Sequence, residues 1–213
     1  MTKKIALITG HFMPEIGYQE VHLARAYARQ GFKVRVFSST AISPTGKKVL
    51  KNPYKSGLTV YPENGFEIFR LRPIINSGAK VIVNGLAKIV DNYSPDYIII
   101  VGMSKIFPYS LVSKKMCEKY KLISIFGESI EYFGNKKGMS YIKYLMFNYR
   151  VKYWLYNRAT KYCNKIILNS PETKNLFYKY ISFKNIKRYR KISYLLCAGF
   201  DSNEFYFDQA TRG

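Results

Sequence analysis

Short, continuous apolar runs alternate along this chain with longer stretches whose apolar positions recur every three or four residues. Runs of four to seven apolar residues fit strands buried on both faces, and the longer periodic stretches fit helices. Residues 4–9 and the very apolar 96–101 read as such strands, and 33–38, 122–126, 165–169 and 192–196 also read as strands in the alternation. Residues 66–72 alternate, with Phe66, Ile68 and the aliphatic stem of Arg70 on one side, and read as a strand nearer the edge. Residues 17–30 read as a helix with an apolar face of Val21, Leu23, Ala24, Tyr27 and Ala28, stopped by Gly31. Further helices are predicted over 79–92, 105–120 (Pro108 in its first turn), 138–162 and 172–180. Residues 40–65, rich in Pro, Gly, Ser and Lys, read as a long loop serving as a mobile flap. This alternation predicts an α/β, Rossmann-like fold: a parallel sheet with helices on both faces. One domain is expected over 1–200, whereas 201–213 carry no further apolar period.

Composition narrows the class. Hydrophobic residues make up 47% of 213, enough for a core and against wholesale disorder. The longest apolar run, around 97–103, is too short to span a bilayer. Residues 1–8 read as a first strand and not a leader, since the apolar stretch is short and no small-residue cleavage site follows. The expected location is therefore the cytoplasm. Cys117, Cys163 and Cys197 are scattered and odd in number, which points to reduced thiols without a metal site.

Charge adds a partner class. The net charge is +22, and residues 133–192 carry 15 Lys or Arg against one acid, Glu172. Such a field attracts nucleic acid, anionic membrane or phosphorylated substrates. The bland alternative is compositional bias toward Lys, Tyr, Asn and Ile.

The first strand leads through Gly10, His11, Phe12, Met13 and Pro14 to Gly17 and a helix. The glycine spacing is not that of a dinucleotide fingerprint, and no lysine follows as in a Walker loop. What remains is a longer loop with free backbone N–H groups at a helix N-terminus, suited to an anion or a sugar hydroxyl. The competing reading is that Gly17 merely permits a tight turn.

The stretch FMPEIGYQEVHLARAYARQGFKVRVFSS resembles the start of the family 4 glycosyltransferases. SPDYIIIVG, NKIILNSPETKNLF and LLCAGFDSNEF resemble later segments of that family in the right order. The resemblance implies the GT-B arrangement of two Rossmann-like domains. Of these the N-terminal one holds the acceptor and the C-terminal one holds a nucleotide sugar. It implies retention of anomeric configuration, no metal and no cofactor, the nucleotide sugar being a substrate. It sets the loop around Gly17 beside the donor phosphates and gives Glu15, Tyr18 and Gln19 contacts to acceptor hydroxyls. His11 is a further candidate in that loop. Glu128 stands where the family often has a histidine, and is either a hydroxyl partner or an ordinary loop carboxylate. Ser170 is a helix cap that faces the cleft in the family, and Gly199 and Asp201 fall at the interdomain hinge. The chain stops where the second domain should begin, so it is expected to be inactive alone and to need a donor-binding domain or a separate chain.

On helix 138–162, Lys143, Phe147, Arg150, Trp154, Arg158 and Lys161 share one face, while Ile142, Leu145, Tyr149, Tyr153 and Tyr156 form a neighbouring core stripe. A cationic face bearing Trp and Phe suits an anionic membrane surface, which fits a lipid-linked acceptor, glycans being the other acceptor class. The alternative is a solvated face. A nucleic-acid-binding module is the runner-up function, although no RRM, KH or helix-turn-helix signature is present. A non-catalytic partner protein is the third.

Overall fold

A computed structural model describes residues 2–43, 46–48, 50, 54–62, 65–77, 80–102, 105–127 and 149–195. The expectations for Glu128, Ile142, Lys143, Leu145, Phe147, Cys197, Gly199 and Asp201 lie outside the described residues. The strands are β1 Lys4–Ile8, β2 Lys33–Ser39, β3 Gly57–Tyr61, β4 Phe66–Leu71, β5 Pro73–Ser77, β6 Lys80–Val83, β7 Tyr97–Val101, β8 Lys121–Phe126, β9 Lys165–Leu168 and β10 Ser193–Leu195. The helices are α1 Gln19–Arg29, α2 Leu86–Tyr93, α3 Lys114–Lys119, α4 Arg150–Tyr162, α5 Pro171–Tyr180 and α6 Ile186–Ile192.

Eight strands form one sheet in the order β10-β9-β8-β7-β1-β2-β4-β3. Every pairing is parallel except β3 with β4. Apolar side chains alternate between faces, as the pleat requires. Ile5, Leu7 and Ile99 pack with Val21 and Ala24 of α1 on one face. Ala6, Ile8, Ile98 and Ile100 join a larger cluster on the other, with residues of α2 to α6. β1 after Lys4 and β7 are therefore apolar throughout, because both faces are covered. At the far side of the larger cluster, Phe126, Tyr156 and Phe177 meet at ring separations of 4.6 to 4.9 Å. The Cys163 thiol is wholly buried there, and burial pushes its pKa up to about 12.

Four segments depart from the sequence reading. The expected flap 40–65 contains β3, which closes the sheet edge antiparallel to β4, and a 3-10 turn at Gly46–Lys48. A Cβ on Gly46 would come within 2.3 Å of Met13 Sδ, so this turn sits directly against the first loop. Residues 79–92 are not one helix. Lys80–Val83 pairs with β5 as a hairpin, and Gly85, at φ +72°, starts α2. Residues 105–120 are helical only over α3, capped by Ser113 accepting from Met116 N, with a 3-10 turn at Tyr109–Leu111. α6 was not foreseen. On α4, Tyr156 is buried but Tyr153 is exposed, so the stripe expected as core is core only in part.

Candidate functional site

Because the strands run parallel, the loops after β1, β2, β4, β7, β8 and β9 emerge at one rim. β1 lies between β2 and β7, and the chain leaves these two strands in opposite directions, which makes their carboxyl ends the switch point where open α/β sheets form their ligand crevice. The first loop, residues 9–18, lies there. It is held from below: Ser39 Oγ donates to Gly10 O (2.5 Å) and Arg70 Nη1 to Phe12 O (2.9 Å). Phe12 and Met13 are buried beneath the loop, Phe12 edge-on to Phe66 at 5.7 Å. Gly17 has φ +70°, a conformation that side chains other than glycine resist, and its carbonyl accepts from His22 Nε2 at 2.9 Å. His22 thus pins the loop to the helix that follows it.

Four predicted loop residues face differently. Glu15 and Gln19 are exposed, Tyr18 is half-buried at the N-cap of α1, and His11 is only 9% exposed. His11 Nε2 is buried without a hydrogen-bond partner among the described residues. Burial, then the nearby Lys105 ammonium, hold its pKa down at about 4. The ring is neutral at physiological pH. Lys105, beyond the end of β7, was not foreseen: its aliphatic chain and Nζ lie over Gly102. The spacing of a lysine three residues past a glycine at a strand end was the available signal. The crevice therefore has a cation and a neutral imidazole on adjacent loops.

The His11 shift has a measurable consequence. Its folded pKa lies below the 6.5 of the free side chain, so the unfolded chain takes up the proton first. The contribution to stability is complete above pH 6.5 and is lost as pH falls toward about 4. Across this window, urea denaturation of wild type and His11→Gln should show wild type losing, as pH drops, on the order of 2 kcal/mol of stability relative to the variant, after allowing for residual solvent. Parallel pH profiles for the two proteins are the contrary result.

Gln19, in the first turn of α1, accepts from Asn169 Nδ2 at 3.0 Å, which joins the β1 and β9 loops across the rim. A Cβ on Gly127, after β8, would lie 2.9 Å from Asn169 Nδ2, so glycine there makes room for the bridge. Asn169 was missed because its partner is 150 positions away. Ser170 caps α5, its Oγ accepting from Thr173 N at 3.1 Å, with Pro171 opening the helix. The rim thus brings together His11, Gly17, Tyr18, Gln19 and Ser170.

Glu15 belongs to a second group. Its carboxylate accepts from Tyr54 Oη at 2.6 Å, and the Tyr54 ring covers the Arg70 guanidinium at 3.6 Å. Arg70 is only 2% exposed, and its Nη2 has no hydrogen-bond partner among the described residues. Burial lowers the Arg70 pKa, opposed by the nearby Tyr54 and Tyr61 phenols and Glu15. Burying a guanidinium without a direct carboxylate costs several kcal/mol.

Of the cationic face on α4, Arg150 and Lys161 are exposed and Trp154 is 44% exposed. Arg158 is half-buried, donating from Nε to Val112 O and stacking over Trp154 at 5.1 Å, so it also serves packing. Tyr109, after β7, lies 6.2 Å from the Trp154 ring. Two grooves, of about 450 and 220 Å³, open at the opposite, amino-end rim and touch none of these loops. Among the described residues no three His, Cys, Asp or Glu side chains gather to hold a metal, and no helix is long and apolar enough to cross a membrane.

No protein-family model matches the sequence, and no curated protein does. Solved structures do. Anabaena HepE in complex with UDP and glucose matches with a TM-score of 0.54 at 16% identity, over 98% of this chain and 48% of that one. HepE in complex with UDP-glucose matches with a TM-score of 0.52 at 17% identity, over 97% and 47%. The chain spans about half the length of HepE. At this identity the likeness establishes the fold, and the fold is the α/β, Rossmann-like one expected from the alternation of strands and helices.

Proposed function

We propose that this chain is the acceptor-side, N-terminal half of a family 4-type, retaining and metal-independent glycosyltransferase of GT-B architecture. It moves a sugar from a nucleotide sugar to a glycan or lipid-linked acceptor, and it needs a donor-binding domain or partner chain to do so. The observation that carries this reading is the convergence of the β1, β7 and β9 loops at one rim, with Gln19 bridged to Asn169. It is supported by a fold shared with HepE, whose structures hold UDP and UDP-glucose. In this reading His11, Lys105, Gly17, Tyr18 and Gln19 face the acceptor hydroxyl and the donor phosphates. Glu15 and Ser170 flank them. Lys105 would offset phosphate charge, and the neutral imidazole of His11 would accept from or donate to a hydroxyl without adding charge.

The test is sugar transfer by the protein or complex that carries this chain. Radiolabelled UDP-, GDP- and ADP-sugars are offered with a membrane lipid extract and with glycan acceptors. One donor should support transfer, and Lys105→Ala should lower kcat/KM by tenfold to a hundredfold, about 1.4 to 2.7 kcal/mol. No transfer from any donor, with calorimetry showing no nucleotide-sugar binding, overturns the proposal.

A membrane-facing role belongs to the same reading. Trp154 stands exposed between Arg150 and Lys161 on the outer side of α4, an arrangement suited to the headgroup layer of an anionic bilayer. The protein would then act peripherally at the inner face of the cell membrane, where a lipid-linked acceptor is presented.

A further inference from the structure

The proposed transfer reaction does not use Arg70. It sits on β4, where Phe66 and Ile68 at alternate positions are core residues, and a leucine would fill that place without desolvating a charge. The guanidinium has one good hydrogen bond, to Phe12 O, and a long one of 3.5 Å to Ser39 O, and the Tyr61 phenol lies close enough to interact with it but makes no well-formed hydrogen bond to Nη2. Its remaining fork nitrogen, Nη2, is buried and unpartnered among the described residues. Above it lies the Tyr54 ring, and the Tyr54 hydroxyl is held by Glu15, a carboxylate exposed on the first loop. The nearest anion to this buried cation therefore reaches it only through a phenol. Buried polar groups left unsatisfied call for an explanation such as a missing ion. A guanidinium fork matches the oxyanions of a carboxylate or phosphate.

We infer that Arg70 is a covered oxyanion subsite, with Tyr54 as its cover and Glu15 as an internal stand-in for the ligand's negative charge. When the Tyr54 side chain rotates away, a carboxylate or phosphate oxygen reaches Nη2, and Glu15 is released toward the crevice. The oxyanion binding itself is independent of the transfer reaction. Only its assignment to a charged acceptor, a sugar acid or a phosphorylated carrier, rests on the proposed function.

The probes are inorganic phosphate and glucuronate, titrated calorimetrically against the full chain in about 0.15 M salt, where diffuse attraction to the surface is screened. Tyr54→Ala should bind one probe at least tenfold more tightly than wild type. The gain should vanish in Tyr54→Ala/Arg70→Met and survive in Tyr54→Ala/Arg72→Met, which removes an exposed neighbouring charge instead. Preference for phosphate points to a phosphorylated acceptor, and preference for glucuronate to a sugar acid. Because Arg70→Met removes the support of Phe12 O, folding is checked by circular dichroism. If that variant is unfolded, Tyr54→Ala/Arg70→Lys, which keeps the charge but not the fork, should lose most of the gain. Unchanged affinity in Tyr54→Ala, or a gain that survives loss of the Arg70 fork, means that Arg70 is a structural pin only and overturns the inference. The transfer assay can succeed while this titration fails, and the reverse, so the two ideas stand or fall separately.

Discussion

Phe177→Ala is expected to lower the free energy of unfolding by about 3 to 5 kcal/mol, the cost typical of removing a large buried ring. Phe177 is fully buried and joins three elements. Its ring is edge-on to Phe126 of β8 at 4.8 Å, 4.6 Å from Tyr156 of α4, and stacked on Tyr189 of α6 at 4.6 Å. Tyr156 and Tyr180 close the layer at 5.2 Å. The rings come from four separate elements, β8, α4, α5 and α6, so the layer has little freedom to collapse into the space left behind. Phe183→Ala is the comparison. At 89% exposure that ring contributes little burial, and its removal should fall within about 0.5 kcal/mol of wild type. Urea denaturation midpoints measure both. A Phe177→Ala cost near that of Phe183→Ala would show that the aromatic layer repacks.

At low salt, vesicles rich in phosphatidylglycerol should sediment the protein, and phosphatidylcholine vesicles should not. Each basic residue near an anionic surface contributes about 1 kcal/mol. Reversing two, Arg150→Glu/Lys161→Glu, removes two attractions and adds two repulsions, a change of roughly 4 kcal/mol or several hundredfold in partitioning. Total charge alone also draws a +22 protein to anionic lipid. Lys33→Glu/Lys88→Glu, which makes the same change of net charge at exposed sites on β2 and α2 instead of α4, should therefore keep most of the binding. Trp154→Ala should weaken adsorption further at salt concentrations where the charges are screened. Equal recovery with neutral vesicles, absence of salt dependence, or equal loss in both double variants would remove the membrane-facing role.

The parts of the fold most legible in the sequence were those whose environment is symmetrical. β1 and β7 are covered on both faces, so their residues form nearly unbroken apolar runs, and β2, β8 and β9 carry mostly apolar residues between helical stretches. α1 was equally plain, because its apolar face, its glycine entry and Gly31 agree. β3 was hidden: Leu58, Thr59 and Val60 are exposed, and Gly57–Tyr61 is a strand only because β4 offers it a ladder. Lys80–Val83 was read into a helix although its Val-Ile-Val run is β-branched, since the competing hairpin partner is itself short and exposed.

The candidate site divides the same way. Local order along the chain was enough to find the first loop, Gly17, and the Ser170 cap with its proline, because caps and positive-φ turns are made by neighbours within a few residues. The sequence by itself thus determined the alternating α/β order, the rim at which the loops gather, and the cationic outer side of α4. Only the tertiary structure decided that Asn169 meets Gln19, that Lys105 stands beside His11, and that Tyr54 covers Arg70 under the hold of Glu15. Those contacts join residues tens to more than a hundred positions apart. Polar side chains carry no periodicity that announces a distant partner, and the sheet order that brings them together is set by which apolar faces can be buried at once.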